Sequence, residues 1–238
     1  MGRIIGGALI AAGVILWYYG GTGGSVSLVN LGIGSIILGL VSVALPLHGA
    51  VDSAVLPLVC GPSCEFLGAL EKDLELQGDP IVIPPYENLP KGAFFLPRSR
   101  NFTIGLGRFG EGTVFVTGSE RESGLLISPP PGWGLVEYAL ENVGELSGTG
   151  LGYASSAVAS VLSALGLGSA EVFEEEGKIN VFVKPLCGSP VYADPVVSAV
   201  LVGIALGVEE LLRVVSVGRS GEYLKITLER LGGIEKWL

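Results

Sequence analysis

Charge is almost absent from the first fifty residues of this 238-residue chain, and that absence decides which solvent they can occupy. Between Ile4 and Val51, His48 is the only side chain that is charged or titrates near neutral pH. All 23 acidic residues lie at Asp52 or later, and so do 13 of the 14 basic ones. Two apolar runs fill the uncharged stretch. "IIGGALIAAGVILWYY" spans residues 4–19 and ends in Trp17, Tyr18 and Tyr19, aromatic residues of the kind that settle at the headgroup level of a bilayer. After "GGTGGSVSLVN", a second run from Leu28 to Leu47 has about the 20 residues a spanning helix needs.

These features predict a transmembrane helical hairpin over residues 1–50, with spans at about 3–20 and 28–47. A secretory signal peptide is the rival reading for residues 1–20, with Arg3 as its charged region. No small-x-small cleavage site follows the apolar core, and another apolar run follows at once, which favours the hairpin. Gly6, Gly13, Ser35 and Gly39 are small enough to let two helices approach closely, although glycine is common in membrane helices for other reasons too. Arg3 and the terminal amine lie at one end, and the connecting loop carries no charge. The positive-inside rule therefore predicts cytoplasmic termini, and a large domain in the cytoplasm.

The remainder is ordinary in length for one domain. It holds 13 basic and 23 acidic residues, a net charge of −10, which argues against general nucleic-acid binding because that rests on neutralising phosphates. Residues 51–78 are expected to form an amphipathic linker helix. In "EFLGALEKDLELQG", Phe66, Leu70 and Leu74 share a face and Gly78 stops the helix. Residues 79–238 are expected to form an α+β domain. Short strands are predicted at "IVIPPY", "AFFLP", "FTIGL", "TVFVTG" and "GLLIS", followed by the stiff turn "PPPGWG" and a helix over "LVEYALENVG". Beyond these, "SSAVASVLSALGLG" and "PVVSAVLVGIALG" predict two helices, apolar nearly all round and hence buried. Each precedes a hairpin, the first turning at Glu176-Gly177-Lys178 and the second near Arg219-Ser220-Gly221. Matching Ala164-Leu165-Gly166 with Ala205-Leu206-Gly207 gives an internal repeat of two α-β-β units on an antiparallel sheet.

Four groups of residues are candidates for chemistry. "GLGRFGEG" at 105–112 has the G-x-G-x-x-G spacing of phosphate-binding loops. A Rossmann fingerprint needs a helix after it, and here a strand is predicted instead. A kinase-type loop lies between strands, but no V-A-I-K, H-R-D or D-F-G follows. The plain alternative is a hairpin whose glycines supply positive φ angles.

Cys60 and Cys64, in "CGPSC", are a candidate disulfide or thiol pair. The default for them and for Cys187 is unpaired structural thiols. Three thiols with no partner histidine do not make a tetrahedral zinc site, and a disulfide requires an oxidising compartment or a hyperthermophilic source. Glu174, Glu175 and Glu176 sit at a hairpin tip, where solvation keeps carboxylates ordinary. Lys91, Arg98, Arg100, Arg108 and Arg121 fall near only Glu111 and Glu120, a local net of +3. They are candidate contacts to anionic headgroups at the membrane surface, against the alternative of a scattered solvated face. "NFT" at Asn101 is a glycosylation sequon, of consequence only if the domain lies outside the cytoplasm.

The order of parts resembles an uncharacterised archaeal family of membrane-anchored proteins, a two-helix hairpin followed by an α+β domain. "IVIPPYENLPKGAFFLP", "GLLISPPPGWGLVEYAL" and "DPVVSAVLVGIALG" carry the likeness, most clearly Asp194-Pro195-Val196 through Gly203 and Gly207. The resemblance implies a membrane anchor and an archaeal origin, and it supplies no catalytic residues and no cofactor.

The resulting expectation is a non-enzymatic, two-span protein of the cell membrane. Its cytoplasmic domain would associate with membrane lipid, with copies of itself or with another membrane-associated protein. A sensor or carrier with an apolar ligand between the two apolar helices is the alternative. A thiol-redox or phosphoryl-transfer enzyme ranks below both.

Overall fold

The computed structural model of the chain describes residues 2–44, 55–119, 121–188 and 190–238, with the backbone alone described at 2–5 and 44. The predicted end of the second span at Leu47, His48, the start of the linker at 51 and Glu120 lie outside the described residues. The chain divides into two compact units, Met1–Val51 and Asp52–Leu238.

The first unit holds α1 (Gly2–Thr22) and α2 (Val26–Ala44), joined by a turn in which Gly24 adopts φ +68°. Glycine sets how the helices meet. Gly6, Gly13, Gly20, Gly32 and Gly39 are the buried positions, spaced by seven within each helix. A Cβ on Gly13 would lie 2.8 Å from the carbonyl oxygen of Gly32, and one on Gly32 would lie 2.6 Å from the backbone nitrogen of Trp17. A seven-residue period keeps one seam facing the partner helix, and a seam of glycines lets backbone touch backbone. Ser35 is only half-buried, so Gly20 and Gly32 complete the seam in its place. Large apolar side chains point outward, among them Ile15, Trp17, Tyr19, Leu31 and Leu38. Val26–Val43 is long and apolar enough to cross a membrane.

The second unit is α+β. Its eight strands lie in the order β3-β4-β2-β1-β7-β8-β6-β5, antiparallel throughout. They are β1 (Ile81–Ile83), β2 (Ala93–Pro97), β3 (Phe115–Val116), β4 (Gly124–Ile127), β5 (Ala170–Glu175), β6 (Lys178–Val183), β7 (Glu210–Ser220) and β8 (Tyr223–Gly233). The helices are α3 (Leu56–Asp73), α4 (Trp133–Asn142), α5 (Leu151–Ala164) and α6 (Pro195–Val208).

β1 and β2 are apolar without alternation because both of their faces are covered. Val82, Phe94 and Leu96 join the helices in the main core, which continues through Ile179, Val181, Leu212, Ile226 and Leu228. Ile81, Ile83 and Phe95 face a smaller core on the other side, closed by Leu89, Leu106 and Phe109 from the loops. That second cover stops short of the outer strands, where Phe173 and Phe182 stack with centroids 5.8 Å apart and Lys225 lies over Phe182.

Five expectations are corrected. α3 takes in "CGPSC", with the exposed Pro62 inside it, but ends at Asp73 and not at the predicted stop, Gly78. The buried face of α3 runs through Cys64, Leu67, Leu70 and Leu74, while Phe66 is 65% exposed. Residues 102–105 form no strand and lead into a 3₁₀ turn, Leu106–Arg108. α6 is buried all round, whereas α5 is amphipathic and leaves Tyr153, Ser156, Ser160 and Ser163 in solvent. Finally, the left-handed residue that ends α5 is Gly166 and the one that ends α6 is Glu209. Gly207 is still helical, so the two Ala-Leu-Gly triplets occupy different places.

Candidate functional site

A buried polar construction in the second unit joins α3, the loop after β6 and the start of α6. "DP" before an apolar run makes Asp194 the cap of α6 with Pro195 in its first turn, where the missing N–H costs nothing. The carboxylate is fully buried. Its Oδ1 accepts hydrogen bonds from the backbone N–H groups of Val196 (2.9 Å) and Val197 (3.1 Å). Its Oδ2 accepts from those of Cys187 (2.5 Å) and Gly188 (3.2 Å). One side chain thus starts a helix and pins the loop that precedes it.

The pinned loop carries Cys187, which forms a disulfide with Cys64 on the core face of α3. The Cα atoms are 6.4 Å apart across a sequence separation of 123 residues. Cys60 is free and half-exposed, so the default of three unpaired thiols is corrected for Cys64 and Cys187, and the candidate pair within "CGPSC" is not formed. Residues four apart on a helix hold their Cβ atoms about 5–6 Å apart, and a disulfide needs about 3.8 Å. Beside the disulfide, the buried Tyr192 hydroxyl donates to Glu71 Oε2 at 2.8 Å. Burial, and then the Glu71 carboxylate, push its pKa well above that of a free phenol. Among the described residues, no buried side-chain polar atom of this junction lacks a partner, which makes it a brace.

The glycine loop is also occupied by its own fold. Leu106 and Phe109 are buried, with the Phe109 ring 5.1 Å from that of Phe95. The Leu106 N–H donates to Trp237 O, that of Arg108 to Gly105 O and that of Phe109 to Leu106 O. Those amides are therefore not turned toward a phosphate. Of the four glycines only Gly112 has a positive φ, +84°, and neither the kinase-type loop nor the simple hairpin describes the segment.

The five basic residues do not form one patch. Lys91 precedes β2 and Arg98 follows it, which separates them by roughly 20 Å of extended chain. Backbone bonds from Arg98 N–H to Ser123 O and from Thr103 N–H to Arg121 O bring Arg98, Arg100 and Arg121 to neighbouring loops. Arg108 forms an ion pair with Glu122 at 2.8 Å. Hydrogen bonding from Ser119 and that guanidinium hold the Glu122 carboxyl below the usual carboxylate range. At the hairpin tip, Glu174 bonds Arg230 at 3.1 Å, and Glu175 and Glu176 are exposed.

No room for an apolar ligand exists where α5 crosses α6. A Cβ on Gly203 would come within 2.6 Å of Val158, and one on Gly207 within 2.3 Å of Ala154. A cleft of 330 Å³ lies instead between the end of α3 and the β3–β4 edge, lined by Leu74, Leu76, Arg98, Phe115 and Val116 among others. Among the described residues, no group of three or more His, Cys, Asp or Glu side chains could hold a metal ion.

Sequence reading missed Asp194 as a clamp and Cys187 as a disulfide partner. The Asp-Pro pair ahead of an apolar helix was the signal for the first. Nothing local could have signalled the second. No family model, no curated protein and no solved structure matches this chain.

Proposed function

We propose that this is a membrane-anchored, non-enzymatic protein in which α1 and α2 insert as a two-span helical hairpin. The second unit then associates with copies of itself or with another membrane-associated protein. The observation that carries the reading is the inversion of the first unit, with glycine inside and Ile15, Trp17, Tyr19, Leu31 and Leu38 outside. In water such a surface has no cover, and in lipid it needs none.

Two features support association. The open sheet face over β5 and β6 displays the stacked Phe173 and Phe182. The net charge of −10 beyond residue 51 favours encounter with a basic surface. Glu171, Glu174 and Glu175 line the edge strand β5, where like charges oppose pairing of two identical edges, so a basic partner fits that edge better than a second copy does. The recurrence of helix then hairpin over Leu151–Val183 and Pro195–Gly233 supports reading these segments as two α-β-β units.

Two measurements on native membranes test the reading. Alkaline carbonate should leave the chain in the membrane pellet, and crosslinking should give a discrete adduct. Release into the supernatant, or a chain that stays monomeric and uncrosslinked, would refute it.

A further inference from the structure

We infer that the second unit faces a non-reducing compartment and that Asn101 there is an acceptor for an N-linked glycan. The inference rests on the membrane reading above for how the chain reaches that side. Two independent observations carry it.

The first is the Cys64–Cys187 disulfide, which ties α3 to the loop before α6. Outside hyperthermophiles, bonds of this kind persist on the oxidising side of a membrane and are rare where glutathione and thioredoxin keep thiols reduced. The expectation of a cytoplasmic domain leaned on Arg3, the terminal amine and an uncharged connecting loop, and the positive-inside rule is a count over loops that so few charges satisfy only weakly.

The second is the setting of the sequon Asn101-Phe102-Thr103. Asn101 is exposed, at the end of a run of bends over 98–101, and its backbone N–H donates to Ser99 Oγ at 3.3 Å. Exposure then alternates, with Phe102 half-buried, Thr103 exposed and Ile104 buried. Asn101 and Thr103 are thus the exposed members of the sequon, on either side of the half-buried Phe102. A transferase can therefore reach both without displacing core residues. A glycan on Asn101 would hold this loop away from the bilayer, so Arg100 would not contact headgroups.

The reaction needs a saccharide carried on a lipid phosphate. The Asn101 amide nitrogen forms a bond to the anomeric carbon. The bond from that carbon to the phosphate oxygen breaks, and the lipid phosphate leaves with the electron pair. One amide proton passes to a base of the transferase.

The test uses the full chain recovered from the membranes of its source organism. Trypsin cuts after Arg100 and Arg108 and yields the peptide Asn101–Arg108. Mass spectrometry should find that peptide bearing saccharide mass. N101Q and T103A should abolish the modification, and T103S should retain it. Recovery of the unmodified peptide alone overturns the inference. Carbonate extraction of the same preparation scores the anchor separately. A chain that is released yet glycosylated refutes the anchor and leaves the inference standing. A chain that stays in the pellet without sugar refutes the inference alone.

Discussion

Replacing Asp194 by alanine removes the acceptor of four backbone N–H groups at a point with no solvent. Loss of the helix cap at Val196 and Val197 costs about 1 kcal/mol, within a range of roughly 0.5–2 kcal/mol. The amides of Cys187 and Gly188 then lose their partner as well, and a buried donor left unpaired costs about 1–3 kcal/mol. These penalties overlap, since one relaxation of the loop relieves both amides. The expected loss is therefore about 4 kcal/mol, a large part of the roughly 5–15 kcal/mol that holds a domain together. Asp194→Asn keeps one acceptor and turns an NH2 group toward the other pair of amides, so about half the loss is expected. The assay is urea unfolding of the full chain in detergent, followed by far-UV circular dichroism at 222 nm. The midpoint should fall with little change in slope, because the surface exposed on unfolding is the same. A D194A variant within about 1 kcal/mol of wild type would refute the account, since a cap alone already costs that much.

Two further predictions concern the same unit. Reducing the Cys64–Cys187 bond, or making C187S, frees a loop of 123 residues. Chain entropy puts that loss at about 3–5 kcal/mol, so dithiothreitol should lower the unfolding midpoint of wild type and leave C187S unmoved. C60S should unfold as wild type does, and a wild type insensitive to dithiothreitol would sink the pairing. The Tyr86 hydroxyl donates to Leu106 O at 2.9 Å, and burial pushes its pKa up to about 12. A free phenol titrates near 10, so this contribution is intact below pH 10 and lost as pH rises from there through 12. Y86F should cost about 1 kcal/mol at pH 8 and flatten the fall in stability between pH 10 and 12, as read from urea midpoints across that range. An unchanged alkaline limb in Y86F would assign the fall to other groups, such as the buried Tyr192.

Some of this architecture was legible because the evidence for it is local. An uncharged stretch next to a charged one divides the chain at residue 51 without any tertiary knowledge, and the two compact units divide there too. Asp194 with Pro195 before thirteen apolar or small residues marks α6 and its complete burial. Glu176-Gly177, at φ +52° and +74°, is a turn that residue types alone announce. The misreadings have a common cause in partners that local pattern does not contain. The phase of α3 is set by Cys64 and Leu67 meeting the core, and a helix with Phe66, Leu70 and Leu74 spaced by four reads equally well rotated. "FTIGL" alternates like a strand, but Leu106 bonds the C-terminal turn, and Ile104 and Leu106 join the smaller core, so its hydrophobic residues plug a face instead of extending a sheet.

The cysteines carry the same lesson furthest. Proximity in sequence made Cys60 and Cys64 the one candidate pair beside a default of free thiols, and helix geometry disfavours that pair while remote folding supplies Cys187. What selects Cys187 is the carboxylate of Asp194, which fixes the Cys187 and Gly188 amides and so aims the loop at α3. The cap of one helix thus determines which thiol another helix meets. That dependence is why D194A and C187S should be less than additive. Once the clamp is gone the disulfide constrains a loose loop, and once the disulfide is gone the clamp holds a loop with nothing to deliver. A double mutant whose loss equals the sum of the single losses would show the two devices to be independent, and the junction would then be two accidents of packing with no shared role.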